Sequence, residues 1–115
     1  MTDCTVRDIQ FAVGRYSGSV EYENAEHWPF GMRPHGKGVM QYNNGSVYSG
    51  DWEHGNFHGY GSCTYPDGSK FEGWWEEGDK HGKGTMVESN QKIIGEWQRD
   101  ELLKVVFDPL YGPTV

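Results

Sequence analysis

Apolar and polar positions alternate with a period of two along most of the chain. Tyr48, Gly50 and Trp52 fall on one side of such a run, and Ser49, Asp51 and Glu53 on the other. Gly59, Gly61, Cys63 and Tyr65 then alternate against His58, Tyr60, Ser62 and Thr64, and Phe71, Gly73 and Trp75 against Glu72, Trp74 and Glu76. That period predicts strands with two unlike faces. No segment has the i, i+3, i+4 spacing of an amphipathic helix. Between the runs stand tight-turn sequences, Tyr42-Asn43-Asn44-Gly45 and Tyr65-Pro66-Asp67-Gly68, in which glycine supplies the positive φ.

The strands belong to an internal repeat of 23 residues. Tyr48, Gly50, Trp52, Gly55, His58, Gly59 and Gly61 recur as Phe71, Gly73, Trp75, Gly78, His81, Gly82 and Gly84. Going back by 23 finds His35, Gly36, Gly38, Met40, Tyr42 and Gly45, and a further start, one residue early, is Ile93, Gly95 and Trp97. The first copy is irregular. Tyr16, Gly18 and Val20 lie 32 residues before Tyr48, Gly50 and Trp52, so nine extra residues fall between Val20 and His35. Towards the C-terminus the pattern fades: Ser89-Asn90-Gln91 replaces Pro66-Asp67-Gly68, and Asp100 stands where Gly55 and Gly78 stood.

Each unit reads as two short strands and two turns. The chain is therefore predicted to be all-β, an elongated, twisted single antiparallel meander of eight or nine strands, roughly 40 Å long at ~4.8 Å per strand. Three segments follow: an N-terminal segment at 1–15 forming a first strand or a cap, the repeat sheet at 16–103 with its insertion near 21–34, and an apolar tail at 104–115. One face should carry the rings with Met40, Cys63 and Met86, the other mainly polar groups. Glycine opposite a ring leaves a slot in which the ring lies on backbone. Gly50, Gly55, Gly59, Gly61, Gly68, Gly73, Gly78, Gly82 and Gly84 are accordingly read as strand and turn glycines.

Residues 48–69 and 71–84 resemble the MORN repeat, with degenerate copies on either side covering 16 to about 103. The resemblance implies an elongated sheet of β-hairpins. It also implies a mostly non-catalytic scaffold for protein partners, often at cytoskeletal, ciliary or membrane-linked sites, with a lipid role for some members.

Composition narrows the function classes. Hydrophobic residues are 35% of the 115, yet aromatics are 15%, so the apolar content is concentrated in a few large rings. The formal charge of −7 argues against nucleic acid and anionic lipid as partners. No apolar run reaches the ~20 residues of a membrane-spanning helix. Met1 to Gln10 lacks the build of a signal peptide, and Cys4 and Cys63 form no close pair, which suits a reducing intracellular compartment.

Candidate chemistry is sparse. His35, His58 and His81 are spaced by 23, two strands apart, and thus ~10 Å from one another. Histidines sharing one zinc lie much closer, so no metal and no cofactor are expected. Gly59-Tyr60-Gly61 and Gly82-Lys83-Gly84 lack the pattern and the following helix of a phosphate loop. Nothing marks an activated nucleophile, so no catalytic residue is expected. Glu72, Glu76, Glu77 and Asp79 form an acidic cluster, read first as a solvated face. Lys37, Lys80 and Lys83 are placed to pair across strands with such carboxylates.

The aromatic face carries the functional expectation. A single sheet must bury Tyr48, Trp52, Phe71, Trp75 and Trp97 by curling over them, or a partner must cover them. Trp28, Phe30 and Met32 in the inserted loop, and Phe107, Leu110 and Tyr111 in the tail, are further candidate anchors. These apolar stretches either cap their own sheet or meet another chain, and the tail either crosses the groove or caps the last strand. The leading expectation is a non-catalytic interaction scaffold or accessory subunit of a larger intracellular, cytoplasmic assembly. The alternative is a membrane- or phosphoinositide-associated module. Self-association through edge strands is a third possibility.

Overall fold

The computed structural model describes residues 4–22, 31–89, 91–108 and 112–113. Among the described residues ten strands succeed one another: β1 Cys4–Gln10, β2 Gly14–Tyr22, β3 Met32–Tyr42, β4 Val47–Glu53, β5 Asn56–Thr64, β6 Lys70–Glu76, β7 Asp79–Glu88, β8 Gln91–Gln98, β9 Glu101–Asp108 and the short β10 Gly112–Pro113. All lie in one sheet in chain order, each pair of neighbours antiparallel, and the sheet stays open. The all-β meander is therefore observed. The short β10 takes the count past the expected eight or nine, while Cys4–Gln10 pairs with β2 and residues 104–108 continue β9 along β8. The sheet thus runs past the boundary expected at 103, and the molecule extends 50 Å rather than roughly 40. Backbone pairing explains the extension: Val105 faces Gly95 and Phe107 faces Ile94, so this part of the tail completes a ladder instead of crossing the groove.

Turn chemistry differs between the two long margins of the sheet. Along one, His54-Gly55, Glu77-Gly78 and Arg99-Asp100 make two-residue hairpins with positive φ at both positions: 50° and 86°, 50° and 88°, 49° and 69°. That is the type I′ geometry matching the twist of the flanking strands. Asp100 takes the glycine's place, and aspartate is among the few residues that tolerate this region. Along the other margin the β3–β4 and β5–β6 turns are longer. Tyr42 and Tyr65 each donate an N–H to the carbonyl of Ser46 and Ser69, both at 2.8 Å.

The inner face is a ladder of rings. Trp52 stands edge-on to Tyr16 and Tyr48 with centroids at 5.6 and 5.0 Å, Trp75 edge-on to Tyr48 and Phe71 at 5.6 and 5.2 Å, and Trp97 edge-on to Phe71 at 4.8 Å. Such pairs add about 0.5–1.5 kcal/mol each beyond area burial. Glycine makes the ladder possible. Gly18 and Gly38, Gly50 and Gly61, and Gly73 and Gly84 face each other across strands. A Cβ on Gly38, Gly61 or Gly84 would lie 2.0, 2.1 or 2.2 Å from the tip of Tyr16, Tyr48 or Phe71. The rings thus lie on bare backbone. Their polar tips are satisfied there: Tyr48 Oη donates to the Asp51 carbonyl at 2.8 Å, and Trp52 and Trp75 Nε1 donate to the Gly38 and Gly61 carbonyls at 3.1 and 3.0 Å.

Candidate functional site

The ladder decides which aromatic residues remain available. Tyr48 and Phe71 are 0% exposed, Trp52 4%, Trp75 5% and Trp97 6%. These five, considered as partner anchors from the sequence, are core of their own sheet: Tyr48 and Phe71 lie on the bare backbone of Gly61 and Gly84, and Trp52, Trp75 and Trp97 pack edge-on against them. Met32 is likewise buried, at the start of β3 opposite Tyr22. Trp28, Phe30, Leu110 and Tyr111 lie outside the described residues, as does the side chain of Phe107.

An accessible surface remains beside the ladder. Tyr42, Phe57, Cys63 and Tyr65, with Asn44, Ser46 and Pro66 at the turns, line an apolar hollow of ≈ 400 Å³. Phe57 stacks flat on Tyr48, centroids 3.8 Å apart and planes at 4°, and meets Tyr42 edge-on at 6.2 Å. Burial pushes the Tyr42 and Tyr65 hydroxyls and the Cys63 thiol above their ordinary pKa values, so the hollow is uncharged at neutral pH. Phe57 was not among the sequence-predicted residues. It belongs to the inner series with Gly59, Gly61 and Cys63, one step before the run on which the alternation was counted.

One unit further, Lys80 occupies the position of Phe57. Its ammonium stands over Tyr65 and Phe71 at 5.6 and 5.5 Å, so this lysine serves the inner face as a cation over rings rather than as a cross-strand partner of a carboxylate. Lys37 does form the expected ion pair, with Asp51 at 2.5 Å.

Among the described residues one aromatic pair stands on the outer face. Trp74 and Tyr60, 49% and 44% exposed, stand edge-to-face at 5.4 Å. With Glu72, Lys83, Thr85 and Ile94 they border a shallow hollow of ≈ 200 Å³. Of the acidic cluster, Glu76, Glu77 and Asp79 gather around His81, Gln98 and Arg99. The Asp100 carboxylate raises the pKa of Asp79.

At the type I′ margin a polar cluster joins three elements. Glu21 lies next to the end of β2, Arg33 and His35 near the start of β3, and His54 in the β4–β5 turn. Arg33 Nε donates to Glu21 Oε2 at 2.5 Å, and His54 Nδ1 lies 2.5 Å from the same oxygen. The His54 backbone N–H donates to His35 Nδ1 at 3.1 Å, and the two imidazoles stack at 4.9 Å. Burial pushes the Glu21 carboxyl upward, but the hydrogen bonds from His54 and Arg33 and the charges of His35 and Arg33 outweigh it and hold the pKa below the usual range. Spacing by 23 had set His35 against His58 and His81. The meeting of His35 with His54 was readable instead from hairpin register, since Gly36 faces Trp52.

A search of curated proteins finds no match. The family model of the MORN repeat matches three consecutive segments, residues 33–47, 48–70 and 71–90, which together make up half of the chain. This chain belongs to the MORN-repeat family, whose repeats are non-catalytic modules for interaction with proteins or membrane lipids.

Proposed function

We propose that this protein is a non-catalytic scaffold or accessory subunit that holds an apolar segment of a partner protein against the hollow between Tyr42, Phe57 and Tyr65. The supporting observation is that hollow: uncharged, floored by the Phe57–Tyr48 stack and left uncovered among the described residues. Apolar walls with a few polar groups at the rim suit an inserted side chain. Asn44 and Pro66 are exposed rim residues whose side chains play no part in the ladder. An intracellular, cytoplasmic setting within a larger complex belongs to the same reading, with cytoskeletal or ciliary sites as the settings the family resemblance suggests. The −7 charge favours a protein over an anionic membrane.

The test is co-purification from the native source with the wild-type chain and with Asn44→Asp/Pro66→Asp. Loss of a stoichiometric partner in the double variant, at unchanged thermal stability, supports the reading. Undiminished recovery of that partner rejects the hollow. Flotation of the wild type with vesicles containing phosphoinositide, and not with neutral vesicles, would favour the membrane alternative.

A further inference from the structure

The Glu21–His35–His54 cluster repays a closer look, because it is where the repeat breaks. The positions following it by 23 residues carry His58 with Glu77, and then His81 with Asp100. A carboxylate stands beside the histidine at all three junctions, Glu21 at His35, Glu53 at His58 and Glu76 at His81, but only at the first does the hairpin turn supply a second imidazole. One ligand atom from each of Glu21, His35 and His54 lies within 4.8 Å of the others. We propose that these three residues form a binding site for a borderline divalent cation of the Zn²⁺ class.

The donor set fits that chemistry. Two imidazoles and one carboxylate are ligands such ions accept at about 2.0–2.2 Å, with water completing a tetrahedron. Tetrahedral ligands at that radius stand ~3.3 Å apart. His35 Nδ1 to Glu21 Oε2 is already 3.7 Å, and His54 Nδ1 to Glu21 Oε2 is 2.5 Å, so the second pair opens by under an ångström. The backbone holds the ligands near one another: the Gly55 N–H donates to the Pro34 carbonyl at 2.8 Å, tying the turn to β3 beside His35. Solvent reaches the site, since the Glu21, His35 and His54 side chains are 23%, 39% and 54% exposed.

Three local interactions must yield, the first being the hydrogen bond of the His54 backbone N–H to His35 Nδ1, which occupies the lone pair the ion would take. His54, the more exposed of the two stacked rings, turns out of the stack to face the ion. Arg33 Nη2 lies 3.0 Å from His54 Nδ1 and gives way there, while its Nε remains on the Glu21 carboxylate as the hydrogen bond that orients a metal-binding carboxylate. The guanidinium also places a positive charge beside the ion, which sets the affinity below that of a closed structural zinc site.

The experiment titrates ZnCl₂ into the chelator-treated full chain by calorimetry and follows CoCl₂ by visible absorption. One equivalent should bind, with Co²⁺ giving the intense bands of four-coordination. His54→Asn keeps a residue tolerant of the positive φ and removes the ligand. That variant and Glu21→Gln should each weaken binding at least about tenfold, and His81→Asn should leave it unchanged. Circular dichroism of each variant checks that the fold persists. No binding to the wild type overturns the site. So does wild-type affinity in folded His54→Asn and Glu21→Gln.

Discussion

The second and third repeats, residues 48–70 and 71–90, share one backbone plan and present different surfaces. Both pin a ring onto a glycine of the next strand, Tyr48 on Gly61 and Phe71 on Gly84, and both brace it with a tryptophan, Trp52 or Trp75. Outside that plan the side chains are exchanged. On the inner face Phe57 of one unit becomes Lys80 of the next, so an aromatic floor gives way to an ammonium over rings. On the outer face Asp51, paired with Lys37, becomes Trp74, paired with Tyr60. The aromatic residue has changed sides. Positions that build the sheet are those the repeat keeps, and positions that give this chain its surfaces are those the repeat leaves open.

The strongest way to break that division is at the glycines. Gly61→Ala and Gly84→Ala push a methyl group onto a fully buried ring, at 2.1 and 2.2 Å, with no room for the ring to withdraw. Each should cost about 3 kcal/mol or more by urea unfolding. Gly68 has no neighbouring atom within 4 Å of a Cβ and a φ of +92°. Gly68→Ala therefore pays only for backbone conformation, about 1 kcal/mol. Equal costs at Gly61 and Gly68 would show that the ring slot does not hold the units together.

A middle-sized effect separates the two inner faces. Phe57→Lys removes the flat stack on Tyr48 and should destabilise by about 1–2 kcal/mol. Lys80→Phe converts the third unit to the second unit's form. It should be neutral or stabilising by under about 1 kcal/mol, since a ring replaces an ammonium above Tyr65 and Phe71. Urea midpoints of the two single variants and the exchange check this. Loss of stability on Lys80→Phe would mean that the cation over the rings, not the apolar contact, fits the third unit.

Much of this was legible in the residues because glycine and aromatic positions alternate in step. Tyr48-x-Gly50-x-Trp52 specifies a face, and its return 23 residues later specifies the order of strands. Trp74 was placed on the outer face by the same alternation. What escaped has physical reasons. His54 meets His35 through the offset between neighbouring strands, which a repeat period does not display. The burial of Trp52, Trp75 and Trp97 follows from edge-on packing against rings seated on glycine, whose depth no alternation reports. Residues 104–108 looked like a tail because β9 has lost the glycine spacing, although backbone pairing needs none of it.

The smallest effect concerns charge on the outer face. Asp51 accepts the Tyr60 N–H at 2.9 Å and pairs with Lys37. Burial pushes its carboxyl upward, but these bonds and the neighbouring charges of Lys37 and His58 outweigh it and hold the pKa below 3.8. A depressed carboxyl contributes stability that is present above the unfolded value and lost as pH falls through the folded one. The pair is largely solvated, with Lys37 80% exposed, so its worth is under about 1 kcal/mol. Asp51→Asn should therefore lower the urea midpoint slightly near neutral pH and lose its difference from the wild type as the pH falls below 3.8 and through the lowered folded-state pKa. The matching change Trp74→Asp should not create the same dependence, because Tyr60 stands where Lys37 stood one unit earlier. If it does, the carboxylate draws its stabilisation from the strand backbone alone, and the ion pair with Lys37 contributes nothing.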